Sequence, residues 1–376
     1  MAYILQERNQ PPTLAILTVK DNKRRIFRGN LDNFIDLIRT GNEMGVDAYV
    51  VTTSDFSLSS SRMMGYRYDF EKKKWSRELV PAPHVVYNRI PYRKMELKPD
   101  VQQVLQTCMR SGQVEIFNPS FFNKLTLFEW LNKSKEGKPF IPETLQLNAV
   151  GDLNQLLRRH TVLYLKPAKG KAGKGIMRLE RISAKNKQAE YRLSRQENKN
   201  MEISTHQSIE SLWQAFNKYR GYKEYIAQQG ITLTRFKQRA YDLRALIQKS
   251  SKGTWLVSGI GARVAGKASI TTHVPRGGSI DNPLKLLTQA FGAKEAGRIL
   301  KRAKSAAVTL AKAIEKSSGS HLGEMSMDLG VDTSGRIWFF EANSKPMKFD
   351  EPEIRRKSLE RIIGYSLYLT NSGKRR

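Results

Sequence analysis

The sequence predicts an α/β protein, and three observations carry that expectation. The first third alternates strand and helix in the rhythm of a small parallel sheet, ending near Pro119. A second unit then opens with a helix and runs into a strand, a glycine-rich loop and a returning strand. The last third closes on a hairpin whose residues alternate between acidic or small and apolar side chains.

The elements follow in order. "TLAILTV" reads as a strand, "LDNFIDLIRTGNEMG" as an amphipathic helix and "DAYVVTT" as a second strand. "GYRYDFEKKKWSREL" has the pattern of a hairpin, "HVVYNRI" of a strand, "PDVQQVLQTCMRSG" of a helix and "VEIFNP" of a strand. "FNKLTLFEWLNKSKEG" is a helix, and the two prolines of "KPFIPETLQL" define a turn. "TVLYLKPAKGKAGKGIMRLERI" gives the strand, loop and strand of the second unit. Ser183 to Thr205 reads as a polar, irregular exposed hairpin, "SIESLWQAFNKYRG" as a helix, and "YIAQQGITL" returns to extended structure. Strands at "YDLRALIQKS" and "WLVSGIGARVA" precede a long helical region from about Pro283 to Ser317, then the acidic hairpin and a basic helix with its tail.

Composition limits the function. The chain has 376 residues and a formal charge of +30, a field that attracts polyanions. The basic residues are spread from end to end without interleaved aromatics or zinc-finger spacing, so no specific nucleic-acid partner is expected, whereas acidic polymers are. A single cysteine, Cys108, excludes an intrachain disulfide, suits a cytoplasmic setting and reads as a small core residue. The opening "MAYILQERNQPP" lacks the pattern of a secretory signal, and no apolar run reaches membrane-spanning length.

In "GEMSMDLGVDTSGRIWFFEAN", a two-residue turn at Ser334 and Gly335 sets Asp328 opposite Glu341. Ser326, Asp328, Gly330, Glu341 and Asn343 then share one face, with Met325, Met327, Leu329, Val331, Trp338 and Phe340 on the other as core. Facing carboxylates repel unless a cation lies between them, and this hard-oxygen set suits Mg²⁺ or Mn²⁺ rather than zinc. A surface hairpin with Arg336 or Lys345 as counter-ion is the plainer alternative. "LKPAKGKAGKG" adds Gly170, Gly173 and Gly175 among Lys166, Lys169, Lys171 and Lys174, a composition that lets backbone amides and ammonium groups approach phosphate. Its spacing is neither that of a Walker A loop nor that of a dinucleotide fingerprint, and a basic hairpin tip stays open as its other reading.

The order of these features, from Lys124 through "PET", Lys166 and its loop, Gln228 and Gln229, "DLR", Arg263 and "RGG" to Asp328, Glu341 and Asn343, resembles an ATP-grasp ligase. "YNRIPYRKME", "ARVAGKASITTHV" and "GRIWFFEANSKP" are similar to the YheC/YheD family of endospore coat-associated proteins, over nearly the whole chain. The resemblance implies a pre-ATP-grasp domain over residues 1–118, a central and lid subdomain over 119–227, a C-terminal subdomain with the metal site over 228–350, and a basic helix and tail over 351–376.

By that resemblance Lys124 and Lys166 reach the phosphates of ATP, and Gly173, Lys174 and Gly175 form the lid. Gln228, Gln229 and Ile231 match the hinge that receives adenine, with Gln229 standing where many ATP-grasp proteins carry Glu. Asp328, Glu341 and Asn343 match the metal ligands, and Arg263 and Arg276 match the residues that steady the transferring phosphoryl group. Arg244 and His273 lie in matched segments, and Arg89, Arg93 and Lys94 form an expected acceptor-side surface. The implied activity is carboxylate–amine ligation through an acyl phosphate, on unnamed carboxylate and amine substrates, in the sporulating cell with spore-coat components as partners. A non-catalytic, nucleotide-binding coat protein is the alternative.

Overall fold

The structure, a computed structural model, describes residues 11–23, 26–168, 174–183, 189–197, 200–266, 272, 278–349 and 351–373. Its first unit contains β1 (Thr13–Thr18), a short hairpin of β2 (Lys20–Asp21) and β3 (Ile26–Phe27), α1 (Leu31–Glu43), β4 (Asp47–Thr52), β5 (Arg62–Asp69), β6 (Lys74–Pro81), β7 (Val85–Asn88), α2 (Arg93–Glu96), α3 (Pro99–Arg110) and β8 (Glu115–Phe117). The sheet order is β6-β5-β4-β1-β7-β8. β4, β1, β7 and β8 run parallel, and the β5–β6 hairpin extends the sheet antiparallel at one edge. Every residue of β1 is buried, as a central parallel strand covered on both faces requires. Leu14 and Ile16 pack with Phe34 and Leu37 of α1, while Ala15 and Leu17 pack with Val101 and Leu105 of α3. Cys108 lies in that second cluster, and burial pushes its thiol up to about 12, which makes it inert as a nucleophile at neutral pH.

The second unit holds α4 (Lys124–Lys133), β9 (Thr144–Gln146), α5 (Val150–Leu157), β10 (Val162–Pro167), β11 (Met177–Ser183), β12 (Ala189–Glu197), β13 (Asn200–His206), α6 (Ile209–Arg220) and β14 (Tyr225–Gln229). The sheet order is β13-β12-β11-β10-β14-β9, antiparallel throughout. α5 and α6 cover one face, where Leu153, Leu156, Leu212 and Phe216 meet Leu163, Leu165 and Ala227. The stretch expected to be an irregular exposed hairpin is a hairpin, but a regular one of two strands, β12 and β13, paired from Tyr191 opposite His206 to Glu197 opposite Asn200. Hydrogen bonding of β12 to β11 and of β13 to β12 holds them in the sheet although their side chains are largely polar, and few apolar residues mark the pattern.

The third unit comprises β15 (Arg235–Phe236), β16 (Arg239–Lys249), β17 (Trp255–Val264), β18 (Ser279–Asp281), α7 (Pro283–Ser318), β19 (Glu324–Val331), β20 (Ile337–Asn343) and α8 (Pro352–Gly373). Its sheet runs β18-β17-β16-β19-β20, with β15 paired to β16. α7 starts where the Asn282 side chain accepts from the Leu284 and Lys285 amides and Pro283 occupies the first turn. It bends at Gly292, whose φ of 76° breaks the helical path. Ile299, Ala303, Ala307 and Leu310 of α7 pack on Leu243, Met325, Met327 and Leu329. α8 returns to the first unit, where Ile362, Ile363, Tyr365 and Leu369 complete the cluster around Phe34 and Leu37.

The β19–β20 hairpin corrects the sequence reading in one respect. Its turn is not two residues but the loop Asp332–Arg336, closed by Asp332 Oδ1, which accepts from the Ser334 amide (2.9 Å), the Ser334 hydroxyl (2.6 Å) and the Arg336 amide (3.0 Å). The longer turn pairs Val331 with Ile337 and Leu329 with Phe339, so Ile337 and Phe339 join the cluster under α7 in place of Trp338 and Phe340, Trp338 being buried on the other face. A β-bulge between Leu329 and Asp328 inserts Phe340 and restores Asp328 opposite Glu341. Without the extra residue Glu341 would turn into the core.

Candidate functional site

The hairpin presents two carboxylates on one face because Asp328 and Glu341 are cross-strand partners, and Asn343 follows two residues on, opposite Ser326. Their counter-ions are neither Arg336, which donates to the Pro139 carbonyl at 2.8 Å, nor Lys345, which pairs with Glu96. Lys124 at the start of α4 places Nζ 3.0 Å from Glu341 Oε2. Arg263 on β17 reaches Asp328 Oδ2 at 2.8 Å, and Arg244 on β16 reaches Asp328 Oδ1 at 3.2 Å. Among the described residues no three Asp, Glu, His or Cys side chains converge as a metal cluster; the oxygen-bearing side chains on this face are Asp328, Glu341 and Asn343, with Ser326 opposite the last. Two carboxylates and an amide are hard-oxygen donors of the kind that suit a divalent ion shared with phosphate oxygens.

Lys166 enters from β10, across the cleft. Its Nζ donates to Gln228 Oε1 and lies 5.5 Å from the centre of the Phe340 ring, the residue the bulge supplies. Burial brings the Lys166 ammonium down to about 7; Lys124 adds to the fall, while Glu341, Asp328 and Asp242 oppose it. Groups from several different elements therefore share one electrostatic environment. The three carboxylates offset only part of what burial costs the Lys166 ammonium.

Sequence reasoning passed over Asp242 as a side chain with a task. Its carboxylate accepts from Arg263 Nε at 2.9 Å and Nη2 at 2.8 Å, and the Thr272 hydroxyl also donates to it. Burial opposes charge on Arg263, but Asp328 and Asp242 together hold its pKa above the ordinary arginine value. Arg263 is thereby fixed as a cation beside Asp328.

At the hinge the two glutamines part. Gln228 shares the cleft face with Lys166, is 1% exposed, and donates to Thr144 Oγ1 at 3.0 Å. The Gln229 amide oxygen accepts instead from the Glu143 backbone N–H at 3.2 Å, beside the Glu143–His160 pair. Ile231 follows β14, partly exposed. In the loop expected to form a lid, Lys174 is exposed, and Gly175 has φ +76° with its carbonyl accepting from Tyr225 Oη at 3.0 Å. Gly173, His273 and Arg276 lie outside the described residues.

The acceptor-side trio is divided in use. Arg89 bonds Glu324 Oε1 at 3.1 Å and the Pro346 carbonyl at 3.0 Å, tying β7 to the third unit. Arg93 donates to the Phe122 carbonyl and lies over the Phe121 ring, while Lys94 is exposed. Next to them Lys345 and Glu96, each with a side chain 4% exposed, form a buried pair. Burial brings Lys345 down to about 8, with Glu96 opposing and Arg89 and Arg93 contributing to the fall.

Known proteins share both the sequence pattern and this architecture. The model of the YheC/D-like ATP-grasp family matches residues 113–369, more than half of the chain. Endospore coat-associated protein YheD of Bacillus subtilis (strain 168) is 28% identical over 360 residues, covering 92% of this chain and 76% of that protein. Endospore coat-associated protein YheC of the same organism is 22% identical over 315 residues, covering 84% of this chain and 85% of that protein. Among solved structures, D-alanyl-alanine synthetase A from Vibrio cholerae superposes with a TM-score of 0.51 at 10% identity, over 98% of this chain and 100% of that chain. VanG D-Ala:D-Ser ligase from Enterococcus faecalis gives 0.50 at 12% identity, over 96% and 100%. At such identities these two likenesses speak for the fold.

Proposed function

The chain belongs to the YheC/D-like ATP-grasp family, and from that membership and the geometry of the cleft we propose that it is an ATP- and Mg²⁺-dependent carboxylate–amine ligase. The observation that carries this reading is the convergence of Lys166 and Lys124 on the Asp328–Glu341 pair across the cleft. A protein with a purely structural role has little physical need to bring facing carboxylates and a poorly compensated lysine together.

In this reading Gln228, Gln229 and Ile231 receive adenine, Lys124 and Lys166 hold the phosphates, and Gly173, Lys174 and Gly175 close over them. Asp328, Glu341 and Asn343 would hold the divalent ion, which supplies charge compensation on the phosphate oxygens. The carboxylate oxygen of the first substrate attacks the γ-phosphorus and ADP leaves with the bond's electrons. Arg263, fixed by Asp242, and Arg276 offset charge on the transferring group. The amine of the second substrate then attacks the acyl carbon, a proton departs from nitrogen, phosphate leaves and an amide remains. Arg93 and Lys94, at the first unit's edge, are the acceptor-side cations left to meet a carboxylate, with Arg244 nearer the metal end; Arg89 steadies the wall behind them.

A second reading is a coat-associated protein that binds nucleotide without turnover; the relatives' description as endospore coat-associated bears on its first half only. No helix among the described residues is long and apolar enough to cross a membrane, and the +30 charge suits retention by acidic coat material in either reading. The deciding experiment incubates the protein and Mg-ATP with fractionated small molecules from sporulating cells, scoring ADP against AMP. ADP that depends on one fraction and disappears with Glu341→Ala supports ligation or phosphorylation, which the product mass separates. Absence of turnover in every fraction favours the second reading.

A further inference from the structure

The ladder between β19 and β20 runs out at Ser326 opposite Asn343. Beyond that last pair stands the side chain of Asn118, from the end of the first unit. Its Nδ2 donates to the carbonyls of Glu324 (2.8 Å) and Ser344, and its Oδ1 accepts from the amides of Gly323 (2.8 Å) and Glu324 (3.2 Å). Its own N–H donates to the His321 carbonyl at 2.9 Å, and the Ser344 hydroxyl donates to the Ser120 carbonyl at 2.7 Å. One side chain thus bonds the start of β19 and the residue that follows β20, the two strands that carry the candidate ligands.

Two further features show that this arrangement is built in. Asn118 is 0% exposed and holds φ at +55°, a left-handed conformation that asparagine tolerates better than most residues but that costs free energy unless its surroundings impose it. Gly323 permits the close approach, since a Cβ there would lie 2.5 Å from Phe117 Cδ2.

We infer that Asn118 is a positioning residue for the metal set, an inference that rests on the metal reading proposed above. The Ser344 carbonyl belongs to the residue next to Asn343, so the Asn118 amide fixes the direction in which the chain leaves β20. With that direction it fixes where the Asn343 amide stands relative to Asp328 and Glu341. The first unit, which contributes no ligand, therefore determines the geometry of the ligand set through one side chain.

The test uses the full chain with Mn²⁺ as probe, read by electron paramagnetic resonance in the presence of ADP, together with calorimetric ADP binding in chelator. Asn118→Gly keeps the left-handed backbone and removes the amide; Asn118→Asp keeps the shape and loses the two donors; Ser344→Ala removes only the Ser120 bond. Outer hydrogen-bond partners of metal ligands are worth about 10–100-fold in affinity. Mn²⁺ affinity is expected to fall at least about tenfold in the two Asn118 variants and less in Ser344→Ala, with metal-free ADP affinity within about twofold of the parent. Arg355→Ala, which breaks the α8 contact to Asp36 and Asn33, should lower thermal stability and leave Mn²⁺ affinity in place. Parent-like Mn²⁺ affinity in both Asn118 variants overturns the inference, as does an equal fall in metal-free ADP affinity. A parent that binds no Mn²⁺ overturns the metal reading itself, a separate result.

Discussion

Lys166 links nucleotide affinity and stability to pH with opposite signs. Its ammonium is brought from 10.5 to about 7 in the folded protein, chiefly by burial. Polyphosphate binds the protonated form, so affinity is full below pH 7 and weakens above it. For a single group with a pKa near 7, the protonated fraction falls about 25-fold between pH 7.5 and 9, a window above the second phosphate ionisation near pH 6. Stability without nucleotide moves the other way. Because the folded pKa lies below the unfolded one, the unfolded chain binds more protons between about pH 7 and 10.5, and unfolding free energy rises with pH across that window. The rise amounts to a few kcal/mol, since one proton bound only by the unfolded chain contributes on the order of 1.4 kcal/mol for each pH unit crossed. Calorimetric ATP titrations and urea unfolding at matched pH read the two trends, and Lys166→Met should flatten both while weakening ATP at pH 7. ATP affinity independent of pH from 7.5 to 9 in the parent, or the same slope in Lys166→Met, would refute the reasoning.

Three further outcomes follow from other parts of the molecule. Glu341→Ala should abolish the Mg²⁺-dependent part of nucleotide binding while circular dichroism keeps the folded signature; unchanged Mg-ATP affinity in that variant removes the metal assignment. Asp242→Ala leaves the buried Arg263 with Asp328 alone and should destabilise by about 3 kcal/mol, as breaking a buried pair does; a melting temperature equal to the parent's contradicts it. Gly175→Ala forces a Cβ to 2.9 Å from Pro167 Cγ and Tyr225 Oη at φ +76°, so a loss of at least about 1 kcal/mol is expected in chemical denaturation.

Pattern makes most elements legible, because burial on both faces leaves a short continuous apolar run in β1 and burial of one face leaves a 3.6-residue repeat in α1 and α7. The Asp328–Glu341 pairing is legible too, but by a shorter turn than the one present. The five-residue loop and the bulge cancel in register, and no local signal separates that combination from a simple hairpin, so Trp338 and Phe340 read as core from sequence when Ile337 and Phe339 take that place. Gln228 and Gln229 are adjacent and alike, and only the strand's facing decides which one meets Lys166. The fates of Arg89 and Lys345 depend on Glu324 and Glu96, partners far away along the chain that no spacing rule connects. Asn118 does leave a trace, an Asn-Pro step directly after a strand, which marks a turn but not the four bonds its side chain makes.

The return of α8 has a consequence for how the protein is made. Ile362, Ile363, Tyr365 and Leu369 pack with Phe34 and Leu37, so the core that α1 begins over the first unit's sheet stays incomplete until α8 emerges from the ribosome. During that interval the nascent chain exposes an apolar surface of the kind that chaperones bind. A stop codon before residue 352 would therefore do its damage in the first unit, more than 200 residues upstream, by leaving that unit's core unfinished.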